Sequence, residues 1–466
     1  MIYALVWLAI LALGMALVAA ARGVPRSLVQ WMVLAGEGAI VGMLAAGIVV
    51  GLSCGADSRN AVEHGLPWMF GLMAIVVLLA WRTRRASLVN SVGVAERSAG
   101  GPERHTRLIV CFVIALIALH LLPLLVELLL RPVFPWDAWA AWMIKPKAWY
   151  LGGHFDAFVD PATWITSADI LRTTPAFRYP ELSSWLQLLL ADGYGEWNEP
   201  MVLVPWAVLF VGLLLAMYGL SRRLGSSTTV AVIACYALAS MPLIDAHIAL
   251  AGYLDLWIGA VILLSLGAWL EWRRQPQRRG LLVLAFALAW SLVLLKQEGA
   301  IWLLVLIAVG VYGQLGAVWQ RRDLWFAAST LVLLVLMVLV FHGWINDRLA
   351  GIDVPGIGVL QLGWYPGGLT LITALFQHDD WHLLGLTLLL VPIVRWRNLC
   401  ADREAQLLGL FLLAGWIALL LLFCFTPAAK WAESQTATNR LVMQLVPTMV
   451  LWLILLLRPS SLPSRV

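Results

Sequence analysis

Residues 108–137 read LIVCFVIALIALHLLPLLVELLLRPVFPWD, and this stretch contains the pattern that decides the fold. The mainly apolar run from Leu108 to Leu130 is long enough to cross a bilayer, which takes about 20 residues of helix. Arg131 ends the run, and Trp136 and Asp137 follow it closely. The stretch therefore predicts a transmembrane helix that brings a carboxylate to the membrane surface.

The composition places the whole chain in the same class. Of its 466 residues, 62% are hydrophobic and 12% are charged, and the mean hydropathy is +0.87. No soluble globule has enough interior for this apolar surface, so disordered chains, secreted disulfide scaffolds and soluble enzymes are excluded. The net charge of +5 is explained by arginines at helix ends near anionic lipid rather than by nucleic-acid binding. The five cysteines lack CxxC spacing, so neither a disulfide framework nor a zinc site is indicated.

The sequence predicts an all-α polytopic membrane protein with about 13 transmembrane helices. With the amino terminus outside and the carboxyl terminus inside, 21 of the 31 basic residues fall in inner segments, as the positive-inside rule requires. The first apolar run lacks a preceding basic region, so no cleavable signal peptide is expected. The predicted spans are 2–21, 31–52, 66–81, 108–130, 201–221, 228–244, 253–270, 281–295, 300–315, 324–343, 381–394, 405–425 and 441–457.

Three regions are expected along the chain. Residues 1–81 form an amino-terminal unit of three membrane helices, and residues 82–107, basic and rich in Ser and Gly, form a cytoplasmic linker. Residues 108–466 form the main transmembrane domain, which contains a long outer loop over residues 131–199. No internal repeat indicates an inverted-repeat transporter.

The outer loop is predicted to begin with a helix lying in the membrane plane. Its seven tryptophans favour the headgroup level, and a structureless loop of this length would be unusual. On a helix, Trp139, Trp142 and Trp149 would share one face, with Lys145 and Lys147 near lipid headgroups. Trp136 and Asp137 stand at the start of this helix. Asp137 could reach into a cavity, or it could simply cap the helix beside an aromatic belt.

A second amphipathic stretch starts at Phe177-Arg178-Tyr179-Pro180-Glu181-Leu182. Pro180 suits the first turn of a helix, and Glu181 suits its positive end. The two predicted interfacial helices bracket a connector that carries several charged side chains.

This order of span, acidic residue, interfacial helix, connector and second interfacial helix resembles the first outer loop of the GT-C superfamily of polyprenyl-phosphate-sugar-dependent glycosyltransferases. The likeness is to the branch with protein O-mannosyltransferases and lipid A aminoarabinose transferases. Trp136-Asp137-Ala138 stands where that branch has Asp or Asp-Glu, and Tyr179-Pro180-Glu181-Leu182 stands where it has a His-Pro-Pro-Leu-like segment. The resemblance covers roughly residues 108–457, and it implies a GT-C-like catalytic domain with Asp137 as the catalytic base.

Further candidate substrate-binding residues come from charges near the predicted helix ends. Such families place a late arginine against the donor phosphate, and Arg440 matches the position of that arginine. Alternatively, Arg440 is an anchor whose side chain snorkels to the membrane surface. Lys296 and Glu298 interrupt an apolar stretch, either as a structural pair or with Lys296 as a second phosphate-facing cation. His247 and Asp255 could enter the same cavity. The alternative, slightly favoured, is that these residues are solvated helix caps. The list of candidates beside Asp137 is Arg440, Lys296, Glu298, Lys145, Lys147, Arg178, Tyr179, Glu181, Trp136, Asp255 and His247.

The function implied by the resemblance is an inverting glycosyl transfer at the periplasmic face of an inner membrane. The partners would be a polyprenyl-phosphate-linked sugar donor and a lipid or glycan acceptor. This chemistry needs no redox cofactor, and a divalent cation is possible: His378-Asp379-Asp380-Trp381-His382 could bind one without matching a strong metal motif. The alternatives are a lipid-linked glycan ligase or polymerase, a lipid or sugar transporter or flippase, and a noncatalytic envelope scaffold.

Overall fold

The protein is almost entirely helical. A computed structural model describes residues 1–54, 57–87, 104–169, 171–314, 353–354, 358–359 and 361–458. In the amino-terminal half the helices are α1 (Ile2–Arg22), α2 (Leu28–Ser53), α3 (Ala61–Ser87), α4 (Arg104–Leu130), α5 (Ile144–Gly152), α6 (Pro161–Thr166), α7 (Leu182–Tyr194), α8 (Glu199–Arg223), α9 (Thr228–Ala239) and α10 (Pro242–Ala249).

In the carboxyl-terminal half the helices are α11 (Asp255–Arg274), α12 (Arg279–Leu295), α13 (Gly299–Gln314), α14 (Leu369–Phe376), α15 (Leu384–Val394), α16 (Trp396–Ala401), α17 (Arg403–Phe425), α18 (Ala429–Glu433), α19 (Thr438–Met443) and α20 (Val446–Leu456). A π-helical turn (Ala138–Trp142), a 3-10 turn (Pro366–Gly368) and two short strand pairs complete the described elements. Strand β1 (Phe158–Val159) pairs in parallel with β2 (Arg172–Thr173), and β3 (Asp353–Val354) pairs antiparallel with β4 (Gly358–Val359).

Among the described residues, seven helices are long and apolar enough to cross a membrane. They are α1, α2, α3, α4, α8, α11 and α17, and α9 with α10 would add an eighth span bent by 64°. Helices α12, α13, α15 and α20 are apolar but shorter. The predicted span over residues 324–343 lies outside the described residues. The protein is therefore a multi-pass all-α membrane protein, and the total of about 13 spans stays a prediction.

The first three helices pack directly on the rest of the chain. Helix α2 lies between α1 and α8, and α1 and α3 also contact α7. Glycines allow the closest approaches: a Cβ added at Gly14 would lie 1.8 Å from the Gly38 carbonyl oxygen, and one at Gly36 would lie 2.4 Å from that of Gly212. Such small-residue contacts are typical of helix pairs in membranes. Most of the predicted linker, residues 88–103, lies outside the described residues.

The long loop between α4 and α8 is ordered around stacked aromatic rings. It begins with a π-helical turn over Ala138–Trp142 and continues with α5. Trp142 stacks on Tyr179 with 4.7 Å between ring centroids, which joins the start of the loop to the segment before α7. The prediction of one tryptophan face is wrong for Trp139, which is 48% exposed while Trp142 and Trp149 are buried. The π-helical turn changes the helical register between these positions.

Helix α11 is the most deeply buried of the candidate spans. It contacts α8, α12, α13, α19 and α20. Buried acidic residues lie at its two ends, Asp255 at the first residue and Glu271 near the last. At 1.5 Å of rise per residue these side chains are separated by about 24 Å along the helix axis. Only the Asp255 end lies near the residues predicted to carry the chemistry.

Candidate active site

The centre of the candidate site is an ion pair between two residues far apart in the sequence. Arg440 Nη1 lies 2.6 Å from Asp137 Oδ2. Asp137 stands just before the π-helical turn but makes no side-chain cap hydrogen bond, so the cap interpretation is wrong. Arg440 is largely covered and its guanidinium carbon lies 4.8 Å from the centre of the Tyr253 ring. It is therefore not a snorkelling anchor but part of an assembled polar centre.

A second ion pair, more deeply buried, adjoins the first. Lys296 Nζ donates to Asp255 Oδ1 at 2.8 Å and lies 3.2 Å from Glu298 Oε1. Gln444 Nε2 donates to the same Asp255 oxygen at 2.6 Å, and its own side-chain oxygen accepts from the Trp302 indole. Asp255 is fully buried, which contradicts the interpretation of this residue as a solvated cap.

The break between α12 and α13 places Lys296 in this position. Helix α12 ends at Leu295, and Lys296 has extended backbone angles, so the chain leaves the helix and turns into α13 at Gly299. A Cβ added at Gly299 would lie 1.9 Å from the Leu292 carbonyl oxygen. Only glycine permits this close return, which holds Lys296 and Glu298 at the start of α11.

The electrostatics of the site link the two ion pairs. Burial disfavours the charged form of Arg440, but the carboxylates of Asp255 and Asp137 outweigh that cost and raise the pKa of the guanidinium. Burial, with a contribution from the Glu298 carboxylate, raises the pKa of the Tyr179 phenol to about 12. Asp137, Asp255, Lys296, Glu298 and Arg440 are called the site cluster below.

Several polar atoms around the site cluster are buried without a hydrogen-bond partner among the described residues. They are Asp255 Oδ2, Glu298 Oε2, Arg440 Nε and His247 Nε2. His247 Nδ1 faces the Leu243 carbonyl oxygen at 2.8 Å and must donate to it, so Nε2 is left as an acceptor. Leaving such groups unpaired costs free energy, which points to a polar ligand or solvent that completes them.

Two other predicted site residues, Lys145 and Glu181, pair with each other. Lys145 is buried and its Nζ donates to the carbonyl oxygens of Phe177 and Tyr179 and to Glu181 Oε1, at 3.0, 3.1 and 3.0 Å. The predicted position of Lys145 near lipid headgroups is therefore wrong: Lys145 and Glu181 hold the loop that carries Tyr179.

The remaining candidates take other positions. Lys147 pairs with Glu199 at 2.7 Å, and the Trp136 ring is 57% exposed and packs edge-on against Trp139. The Arg178 guanidinium lies over the Phe177 ring, and its backbone oxygen accepts from Gln297.

Sequence reasoning missed Gln444, Tyr253 and Asn439 as site residues. Gln444 was detectable, because it is a polar side chain inside the predicted apolar span 441–457. Asn439 Nδ2 donates to Asp380 Oδ2 and, at 3.0 Å, to His378 Nδ1. Within the described parts of the chain, no group of three or more His, Cys, Asp and Glu side chains is arranged to hold a metal ion.

Two apolar hollows lie on the helices that carry the site. The smaller one borders the site cluster, holds about 10 Å³ and is lined by Glu298, Ile301, Trp302, Ala418, Leu419, Leu422 and Leu441. The larger one, about 210 Å³, lies between α11, α12 and α13. On α11 it starts at Ser265, about 15 Å along the helix axis from Asp255.

Comparison of the chain with protein-family models, with curated proteins and with solved structures found no match in any of the three.

Proposed function

We propose that the protein is a GT-C-like membrane glycosyltransferase with about 13 transmembrane helices. It would move a sugar from a polyprenyl-phosphate-sugar donor to an acceptor hydroxyl at the periplasmic face of an inner membrane. The observation that carries this proposal is the 2.6 Å contact between Asp137 and Arg440. It supports a site in which a candidate base and a candidate phosphate-binding cation act on one substrate.

In the proposed reaction the acceptor oxygen attacks the anomeric carbon of the donor sugar. The carbon–oxygen bond to the phosphate breaks, its electron pair leaves with the polyprenyl phosphate, and the acceptor proton passes to Asp137. Attack from the side opposite the phosphate inverts the anomeric configuration. Arg440 stabilises the negative charge that develops on the departing phosphate.

The geometry of Arg440 suits it to contact the base and the leaving group together. A guanidinium has five N–H donors in a planar fork, and Asp137 occupies Nη1 while Nε is buried without a partner among the described residues. A phosphate oxygen at Nε would then share the cation with Asp137.

The unpaired atoms near the phosphate position favour a hydroxyl-rich head group. Asp255 Oδ2, Glu298 Oε2 and His247 Nε2 are acceptors and would be completed by ligand O–H groups. A sugar offers several such donors on one rigid ring. The Tyr253 ring lies beside one of these acceptors, with 5.0 Å between its centre and that of the His247 ring.

The isoprenoid chain would leave the site along α13. The apolar hollow beside Glu298 holds only about 10 Å³, so the chain would have to part α13 and α17 as it binds. Mass spectrometry of lipid that co-purifies with the protein tests the donor assignment. We expect a prenyl phosphate, and its head group would identify the sugar.

The base is tested by Asp137→Asn. We expect kcat to fall by about 10²–10⁴, the usual contribution of a general base, while expression and prenyl-phosphate binding are retained. Asp169→Asn, an exposed carboxylate on the same loop, is the matched control and should be as active as the unaltered protein. Normal turnover by Asp137→Asn would reject the proposed base.

A further inference from the structure

Helix α19, which carries Arg440, cannot hold its own orientation. It has only six residues, and Ala437 at its amino-terminal end provides no side-chain cap. Isolated helices of this length are unstable in water and depend on contacts with other elements. The orientation of Arg440 is therefore set by what α19 touches.

Asn439, the residue before Arg440, makes the polar contacts at this end of α19. Its Nδ2 donates to Asp380 Oδ2 and to His378 Nδ1, the latter at 3.0 Å. The Thr438 hydroxyl lies 3.4 Å from that of Thr370, which is a weaker contact. At the other end, Gln444 joins α19 to Asp255.

Asp380 is itself held firmly. Its carbonyl oxygen accepts from the Leu243 amide at 3.4 Å, and the next residue, Trp381, is fully buried. His382 Nε2 donates to the Ser240 carbonyl oxygen at 2.6 Å. These contacts fix the segment to the bend between α9 and α10, so Asp380 is a stable acceptor for Asn439.

We propose that Asp380 and Asn439 are positioning residues that set the place of the Arg440 guanidinium at the donor phosphate. The inference rests on the proposed function, because it takes the phosphate as the group that Arg440 meets. Arg440 lies between the Asp137 carboxylate and the Tyr253 ring, so rotation of α19 would move it away from both. A displacement of about 1 Å at a reacting group can lower a rate by about 10².

The test compares two asparagines whose side-chain Nδ2 atoms each donate two hydrogen bonds. Asn439→Ala removes both hydrogen bonds to Asp380 and His378, and we expect kcat/KM to fall by about 10–100-fold. Asn398→Ala removes hydrogen bonds to the carbonyl oxygens of Leu456 and Arg458, at 3.0 and 3.1 Å, away from the site. The control should keep full activity even where its thermal midpoint falls as far as that of Asn439→Ala. Equal activity losses in the two variants would overturn the proposal.

Exchanging the side chains of Asn439 and Asp380 distinguishes a positioning role from a merely structural one. Asn439→Asp places two carboxylates together and should lower activity. Adding Asp380→Asn restores one donor and one acceptor, and we expect most of the activity to return. Failure of the exchange to recover activity, in a protein that melts normally, would overturn the proposal.

A binding cycle with a short-chain prenyl monophosphate tests the role without turnover. Asn439→Ala should weaken binding about tenfold when Arg440 is present and have no effect in an Arg440→Gln background. The same weakening in both backgrounds would overturn the positioning role and leave the proposed function intact. Absence of both phosphate binding and sugar transfer in the unaltered protein would overturn the proposed function and this inference with it.

Discussion

Helix α11 has a buried group of charges at each end, and the two groups differ in how they are satisfied. Near its carboxyl-terminal end, Arg22, Glu37, Arg223 and Glu271 form what we call the paired cluster. Arg22 contacts Glu37 through Nε at 2.5 Å and Nη2 at 2.6 Å, and it contacts Glu271 through Nη1 at 2.7 Å. Arg223 pairs with Glu271 as well. Two cations thus meet two carboxylates, with one Glu271 oxygen left over among the described residues.

The site cluster at the other end of α11 is arranged differently. Three carboxylates meet two cations, and Asp255, Glu298 and Arg440 each keep a buried atom without a partner among the described residues. Burying charge is costly unless the charges are paired and hydrogen-bonded. In the paired cluster, ion pairs within the protein offset the cost of burying the charges. In the site cluster, buried atoms without a partner among the described residues remain for a ligand to contact. The first arrangement favours stability and the second favours binding.

The separation of the two clusters bears on transport as an alternative function. A transporter would be favoured if Glu37, Glu127, Lys296 and Glu298 faced one midplane pathway. Glu37 instead belongs to the paired cluster, about 24 Å along α11 from the site cluster. Glu127, near the end of α4, pairs with Arg131, the first residue after this helix. The described charges therefore form separate groups rather than one pathway.

The largest expected effect comes from breaking the paired cluster. Arg22→Met leaves Glu37 buried without its partner and Glu271 paired with Arg223 alone, which should lower the free energy of unfolding by about 3–5 kcal/mol. Thermal unfolding of the detergent-solubilised protein measures the loss. Arg26→Met, at an exposed position on the same connection, should change it by about 0.5 kcal/mol or less. Equal melting of the two variants would contradict the division between the clusters.

The next effect is on catalysis and comes from the site cluster. Arg440→Gln should lower kcat/KM by about 10²–10³ while the thermal midpoint stays close to that of the unaltered protein. Arg440→Lys should recover only part of the rate, because one ammonium cannot reproduce the planar fork of a guanidinium. Arg397→Lys, at an exposed position, is the control for the same exchange and should be silent. If Arg440→Gln unfolds the protein as Arg22→Met does, the site cluster is structural.

The sequence was sufficient to predict the membrane class and to select candidate site residues, but not to predict the partners of those residues. Asp137 and Arg440 are identifiable because each stands at the end of an apolar run. Their contact spans 303 positions and is set by tertiary packing, which no local pattern records. Glu37 is conspicuous in its apolar run, yet its partner Arg22, which also contacts Glu271, is set by the packing of α1, α2 and α11. The tryptophan face failed at Trp139 because the π-helical turn breaks the regular helical period that the prediction assumed.

The smallest expected effect concerns Tyr179 at the edge of the site cluster. Its pKa of about 12 means that the folded protein keeps the phenol proton between about pH 10 and 12, whereas the unfolded chain loses it. Stability should therefore fall as the pH rises through this range, by about 1 kcal/mol at pH 11 from this group. Tyr179→Phe should remove that part of the fall in thermal midpoint, while Tyr194→Phe, at an exposed position, should not. An identical alkaline loss in Tyr179→Phe and the unaltered protein would show that burial in the folded site does not retain this proton.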